Sequence, residues 1–175
     1  MTWVLGLRPR VPPEALVGVQ DVILLVPGAA PHRTAKRWPA ARYGELARRM
    51  GGPGGFTVQL IGGPDEVDLG RAIEDEAPDV INLIGHTDLA GVAALGAQAG
   101  LAIGNDTGPI HLIAATGTPT MVLFSADSDP ELCAPRGQVA ILREANLADL
   151  TVNTVFDAAI ELLDGLAGNS GNRAP

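Results

Sequence analysis

The stretch Gly104-Asn105-Asp106-Thr107-Gly108-Pro109-Ile110-His111 sets an acid, a hydroxyl and an imidazole within one turn. An apolar run over residues 100–103 leads into it, and a helical pattern over 110–116 leaves it. A strand that breaks at glycine and re-enters as a helix aims backbone N–H groups at one spot, where the helix dipole favours an anion. These residue types suit a polar ligand that carries phosphate. The Thr107 hydroxyl and the backbone amides of residues 107 to 109 would hold a diphosphate. Asp106 or His111 would then bond to a neighbouring sugar hydroxyl or phosphate oxygen. The plain alternative makes Asp106 and Thr107 helix caps, Pro109 a first-turn proline and His111 a ring packed on a sheet.

Further candidates lie elsewhere in the chain. Net charge is −8, which disfavours nucleic acid as a partner, yet His32-Arg33-Thr34-Ala35-Lys36-Arg37-Trp38 is densely basic and holds the chain's single lysine. Lys36 suits a phosphate as a point charge; the bland reading is a solvated basic loop. Trp38 reads as a packing residue, and Pro39 suits a helix start. Gly62-Gly63-Pro64-Asp65-Glu66 is a tight turn entering a helix. Its acids are dipole partners, or a carboxylate at a strand end that holds ribose hydroxyls. Asp127-Ser128-Asp129 before Pro130 has the form of a metal-diphosphate acid pair, but its turn-forming neighbours favour a loop, so no metal is expected. Ser125 lacks the flanking glycines of a nucleophile elbow, and there is no G-x-G-x-x-G or Walker loop.

The elements that must position these groups alternate. Apolar runs at 22–26, 57–61, 80–84, 101–103, 120–124 and 139–142 read as strands. Helical periods at 40–50, 65–76, 88–99, after Thr107 and around 152–163 separate them. The pattern predicts an α/β fold, a Rossmann-like parallel sheet with helices on both faces. Ligands of such sheets sit beyond the carboxyl ends of the strands, and every suggestive segment follows a strand.

The chain's 175 residues suffice for one domain with a real core, and 46% of them are apolar. No apolar run approaches bilayer length, and no secretory leader is legible. The lone Cys133, read as a buried or incidental thiol, fits a reducing cytoplasm. Residues 1–20 are expected to be a linker, 21–167 the domain, and 168–175 a flexible tail.

Taken in order, Pro27-Gly28-Ala29, Lys36-Arg37-Trp38-Pro39, Gly62-Gly63-Pro64-Asp65-Glu66, residues 104–111 and Gly117-Thr118-Pro119 resemble the heptosyltransferase family, glycosyltransferase family 9. The resemblance runs from about residue 22 to residue 165. It implies the C-terminal, nucleotide-sugar-binding half of a GT-B enzyme, whose N-terminal domain binds the acceptor and carries the base. It also implies that Lys36 contacts the diphosphate and stabilises the leaving group, and that Asp65 or Glu66 holds the ribose. The backbone around Thr87 would border the adenine, and Asp106, Thr107, Gly108 and His111 would line the diphosphate and heptose.

The family works without a metal or other cofactor, on ADP-heptose as donor and a lipopolysaccharide core acceptor. Membership thus implies an inverting heptosyl transferase that is cytoplasmic, with at most peripheral contact with the inner membrane. Alternatives are a stand-alone nucleotide-sugar-binding module and a GT-B epimerase or hydrolase. Two departures stand out. The family's Phe-Gly-Pro-Thr-Asp-Pro is here Phe124-Ser125-Ala126-Asp127-Ser128-Asp129-Pro130, and the chain is about half the family's length. An isolated chain of this kind is expected to bind donor and transfer little.

Overall fold

The computed structural model describes residues 21–29 and 37–170. Six parallel strands form one sheet: β1 (Val22–Val26), β2 (Thr57–Leu60), β3 (Ile81–Asn82), β4 (Leu101–Asn105), β5 (Thr120–Phe124) and β6 (Val139–Arg143). Their spatial order is β3-β2-β1-β4-β5-β6, with every neighbouring pair parallel. This is the doubly wound order, and it reverses direction between β1 and β4. The predicted fold class holds.

β1 shows why such strands read as continuous apolar runs. Ile23 and Leu25 join the core on one face, while Val22, Leu24 and Val26 join the core on the other. Alternate side chains of a strand point to opposite faces, so a strand covered on both sides needs no polar positions. Each fully buried Leu or Ile contributes about 1.5–3 kcal/mol.

The first face is covered by α1 (Ala40–Gly51), α2 (Val67–Glu76) and α6 (Val152–Ser170). The second is covered by α3 (Leu89–Gly96) and α4 (Gly108–Ala115). In α1, Tyr43, Leu46, Ala47 and Met50 form the buried stripe, and Arg48 and Arg49 sit in the last turn, where the dipole favours cations.

The differences from the sequence reading have local causes. β3 is shorter than expected because it is an edge strand whose Asn82 side chain accepts from the Ile84 N–H at 3.2 Å, a local turn that competes with the ladder. The helix expected from residue 65 begins as a 3-10 turn, Pro64–Glu66, before α2. The loop after β5 contains a short helix, α5 (Pro130–Cys133), capped by the Asp129 carboxylate on the Glu131 N–H at 3.0 Å. Cys133 is exposed, so of the two readings the incidental thiol stands. α6 continues to Ser170, three residues into the expected tail. Among the described residues, no helix is long and apolar enough to cross a membrane.

β4 outlasts its predicted end by two residues, and those two carry the fold's central polar contact. Gly104 packs so tightly on β1 that a Cβ there would lie 2.7 Å from the Val26 Cβ and 2.8 Å from its carbonyl oxygen. Only glycine admits that approach. Asn105, fully buried, follows it.

Candidate functional site

Asn105 ties the ends of β1 and β4 together at the point where the strand order reverses. Its Nδ2 donates to the carbonyls of Pro27 at 2.7 Å and Gly28 at 3.2 Å. Its Oδ1 accepts from the Trp38 backbone N–H and from the Tyr43 hydroxyl, each at 3.1 Å. The Trp38 indole N–H in turn donates to the Leu150 carbonyl at 2.8 Å, and its ring meets Tyr43 edge-on at 4.9 Å. Trp38 is thus a packing residue, as its sequence context predicts. Burial pushes the Tyr43 phenol far above its ordinary range, and a backbone hydrogen bond from Asn105 pulls it part-way back. The loop after β1 therefore leaves and re-enters the core through fixed points at residues 27–28 and 38.

Beside this anchor lies a cleft of about 460 Å³, lined by Gly28, Ala29, Arg37, Gly63, Asp65, Glu66, Thr107, Gly108 and Pro109. It occupies the position where doubly wound sheets take their ligands. Two of its polar groups are buried without a partner among the described residues, Thr107 Oγ1 and Arg37 Nε. Arg37 is anchored from its other end, where Nη2 donates to the Ala29 carbonyl at 2.7 Å. Thr107 is the residue that precedes α4, but its side chain makes no cap hydrogen bond. Its ordinary explanation as a capping side chain therefore fails. Pro109 has no N–H, so of residues 107 to 109 only Thr107 and Gly108 bring amides to the ligand side.

The acids of the second turn divide. Glu66 Oε2 accepts from the Gly63 N–H at 2.9 Å, and the same carboxylate lies over Gly28, where a Cβ would fall 1.7 Å from Oε1. Glu66 is folded inward as part of the turn. Asp65 lines the cleft and is exposed.

A second group forms on the β5 side of the same turn. His111 Nε2 lies 3.1 Å from Asp106 Oδ1, and the Ser128 hydroxyl donates to Asp106 Oδ2 at 2.8 Å. The Asp106 side chain is 11% exposed and that of His111 38%. The ring is held by the acid rather than packed on the sheet.

Of the residues singled out from sequence, the cleft thus gathers Asp65, Glu66, Thr107 and Gly108. Asp106 and His111 pair next to it without lining it. Thr87 stands in the loop between β3 and α3, with its hydroxyl buried and without a partner among the described residues, and does not line the cleft. Lys36 lies outside the described residues. Arg37, Asn105 and Ser128 are positions for which the sequence reading proposed no role. Arg37 sits beside Lys36 and its charge was legible, whereas the duties of Asn105 and Ser128 depend on partners 77 and 22 residues away. Among the described residues, no group of three or more His, Cys, Asp or Glu is placed to hold a metal.

The family model for glycosyltransferase family 9 (heptosyltransferase) matches residues 11–154. The chain belongs to this family. It is 31% identical to lipooligosaccharide heptosyltransferase 2 of Haemophilus influenzae over 133 residues, which covers 73% of this chain and 38% of that protein. With lipopolysaccharide heptosyltransferase 1 of Salmonella typhimurium the identity is 32%, over 71% of this chain and 39% of the relative.

Among solved structures, E. coli ADP-heptose lps heptosyltransferase II superimposes with a TM-score of 0.78 at 26% identity, covering 88% of this chain and 50% of that one. E. coli heptosyltransferase WaaC with ADP gives a TM-score of 0.74 at 26% identity, over 82% and 45% of the two chains. The family 9 chain described here therefore spans about two fifths of the length of these curated relatives and half or less of the solved ones.

Proposed function

We propose that this chain is the donor-binding half of an inverting heptosyltransferase, which moves heptose from ADP-heptose to a lipopolysaccharide core acceptor. The observation that carries this reading is the cleft at the strand-order reversal, where the Thr107 hydroxyl and Arg37 Nε are buried and have no partner among the described residues. Buried polar atoms without partners are costly unless a ligand completes them. A diphosphate offers acceptor oxygens to both. Structures of relatives with ADP and with ADP-2-deoxy-2-fluoro heptose support a nucleotide-sugar occupant.

In this reading Asp65 takes the ribose hydroxyls, because the Glu66 carboxylate is bonded to its own turn. The segment around Thr87 borders the adenine. Lys36 and Arg37 flank the diphosphate, with Thr107 and the amide of Gly108 beneath it. Asp106 and His111 face the heptose. An acceptor oxygen attacks the anomeric carbon as the bond to the ADP oxygen breaks. Negative charge grows on the diphosphate, and the two cations and the helix start stabilise it more in the transition state than in the ground state. The base that takes the acceptor proton belongs to the part of the longer relatives that this chain does not match, and no metal is required.

Calorimetric titration of ADP, ADP-heptose, UDP and an ADP-hexose into the chain tests the assignment. ADP and ADP-heptose should bind and UDP should not. Binding of UDP without ADP overturns the heptosyl reading. Release of ADP from ADP-heptose by the chain alone would instead identify a hydrolase.

A further inference from the structure

The loop over residues 125–129 departs from the family pattern, and its Ser128 reaches the polar turn after β4. Ser128 is 6% exposed and is held from both sides. Its N–H donates to the Ser125 carbonyl and the Asp127 N–H to the Ser125 hydroxyl, each at 3.3 Å, while Asp129 caps α5. The Ser128 hydroxyl is thereby aimed at Asp106 Oδ2.

A carboxylate rotates easily about its terminal torsion, which is broad and roughly two-fold. A donor on one oxygen removes that freedom and leaves the other oxygen facing a fixed direction. Here that oxygen faces His111 Nε2. A carboxylate only accepts, so Nε2 carries the ring proton, and in the neutral imidazole Nδ1 is left as an acceptor. His111 Nδ1 has no hydrogen-bond partner among the described residues, and the side chain is 38% exposed.

We propose that Ser128 is a positioning residue for sugar recognition: through Asp106 it locks His111 in the Nε2–H tautomer, so that Nδ1 accepts a hydroxyl of the glycosyl group of the bound nucleotide sugar. The inference rests on the donor-site reading above and adds to it the group that separates nucleotide sugar from bare nucleotide. Orientation of an imidazole by a carboxylate that is itself hydrogen-bonded is a general way to set which ring nitrogen faces a ligand.

The test pairs imidazole nitrogen NMR with calorimetry on the full chain and its Ser128→Ala and Ser128→Thr variants. The chain has three histidines, so His111→Gln assigns the signal. At a pH where the ring is neutral, wild type and Ser128→Thr should show a protonated Nε2 and a bare Nδ1. Ser128→Ala should drift toward a mixture of tautomers.

In the same alanine variant, ADP-heptose affinity should fall about tenfold, equivalent to 1.4 kcal/mol, with ADP affinity unchanged. Ser128→Thr should restore it. An unchanged His111 spectrum in Ser128→Ala overturns the inference and leaves the donor site standing. Equal losses for ADP and ADP-heptose also overturn it, since Ser128 would then only support the fold. A wild-type chain that binds neither probe overturns the donor-site reading itself, and the sugar contact with it.

Discussion

Asp106 and Thr107 are neighbours in sequence but face two differently finished regions. On the β1 side, the cleft holds polar groups buried without partners among the described residues, Thr107 Oγ1 and Arg37 Nε. On the β5 side, Asp106 is already bonded to His111 and Ser128. An unfinished set of donors is where a ligand gains most, because it supplies the missing partner. A finished set gains by geometry instead, holding one atom in a fixed place for whatever arrives. Both regions hang from Asn105, whose four hydrogen bonds set the ends of β1 and α1.

The comparison is broken most severely at that shared support. Asn105→Ala leaves the Trp38 N–H without its acceptor, leaves the Tyr43 hydroxyl only the Val26 carbonyl at 3.5 Å, and takes a donor from two carbonyls. Stability should fall by about 3 kcal/mol, read as a lower urea midpoint, and both ligands should be lost together. A variant that keeps its midpoint would show that the two regions stand independently.

Substitutions on one side should separate them. In the donor-site reading, Lys36→Ala and Arg37→Ala each remove a cation that flanks the diphosphate. Each should weaken ADP and ADP-heptose alike by about tenfold, with an effect that shrinks in high salt. If Lys36→Ala leaves affinity unchanged, Lys36 is not part of the site.

Alkaline pH probes the support without any substitution. Tyr43 is the chain's single tyrosine, and burial raises its pKa in the fold. Above the unfolded value of about 10, the unfolded state releases a proton that the folded state keeps. Stability therefore falls as pH rises past that point, by about 1.4 kcal/mol per pH unit from this group, and is unaffected by it below. Tyrosinate absorbance should appear only as the chain unfolds. Absorbance that rises while the fold is intact would contradict the buried hydrogen bond.

Thr107→Val gives the smallest effect and the sharpest contrast. It deletes a hydroxyl that has no partner among the described residues, so stability should stay within about 0.5 kcal/mol of wild type. Affinity for ADP should nevertheless drop by roughly fivefold, about 1 kcal/mol. A thermal-shift series with and without ADP reads both quantities. A loss of stability with no loss of affinity would mean that the hydroxyl serves the fold.

Much of this was legible beforehand because it is written in local patterns. Apolar runs of three to five residues between helical periods announced the parallel sheet, and polar, turn-forming segments after five of the six strands announced where a ligand would sit. Position after a strand was enough to nominate Asp65, Glu66, Thr107 and Gly108, which the cleft does bring together. Local pattern misled where one segment had competing uses. Thr107 could serve as a cap or as a ligand group and makes no cap bond, and Cys133, read as buried or incidental, is exposed.

The sequence by itself determined the fold class and the family, since both rest on the types and order of residues along the chain. Only the tertiary structure decided which polar groups are finished and which are open. Whether a hydroxyl or a carboxylate has a partner depends on side chains far away in sequence: Asn105 on Pro27, Trp38 and Tyr43, and Asp106 on Ser128. Hydrogen bonds act over about 3 Å and only in certain directions, so no spacing along the chain encodes them until packing has brought the strands together.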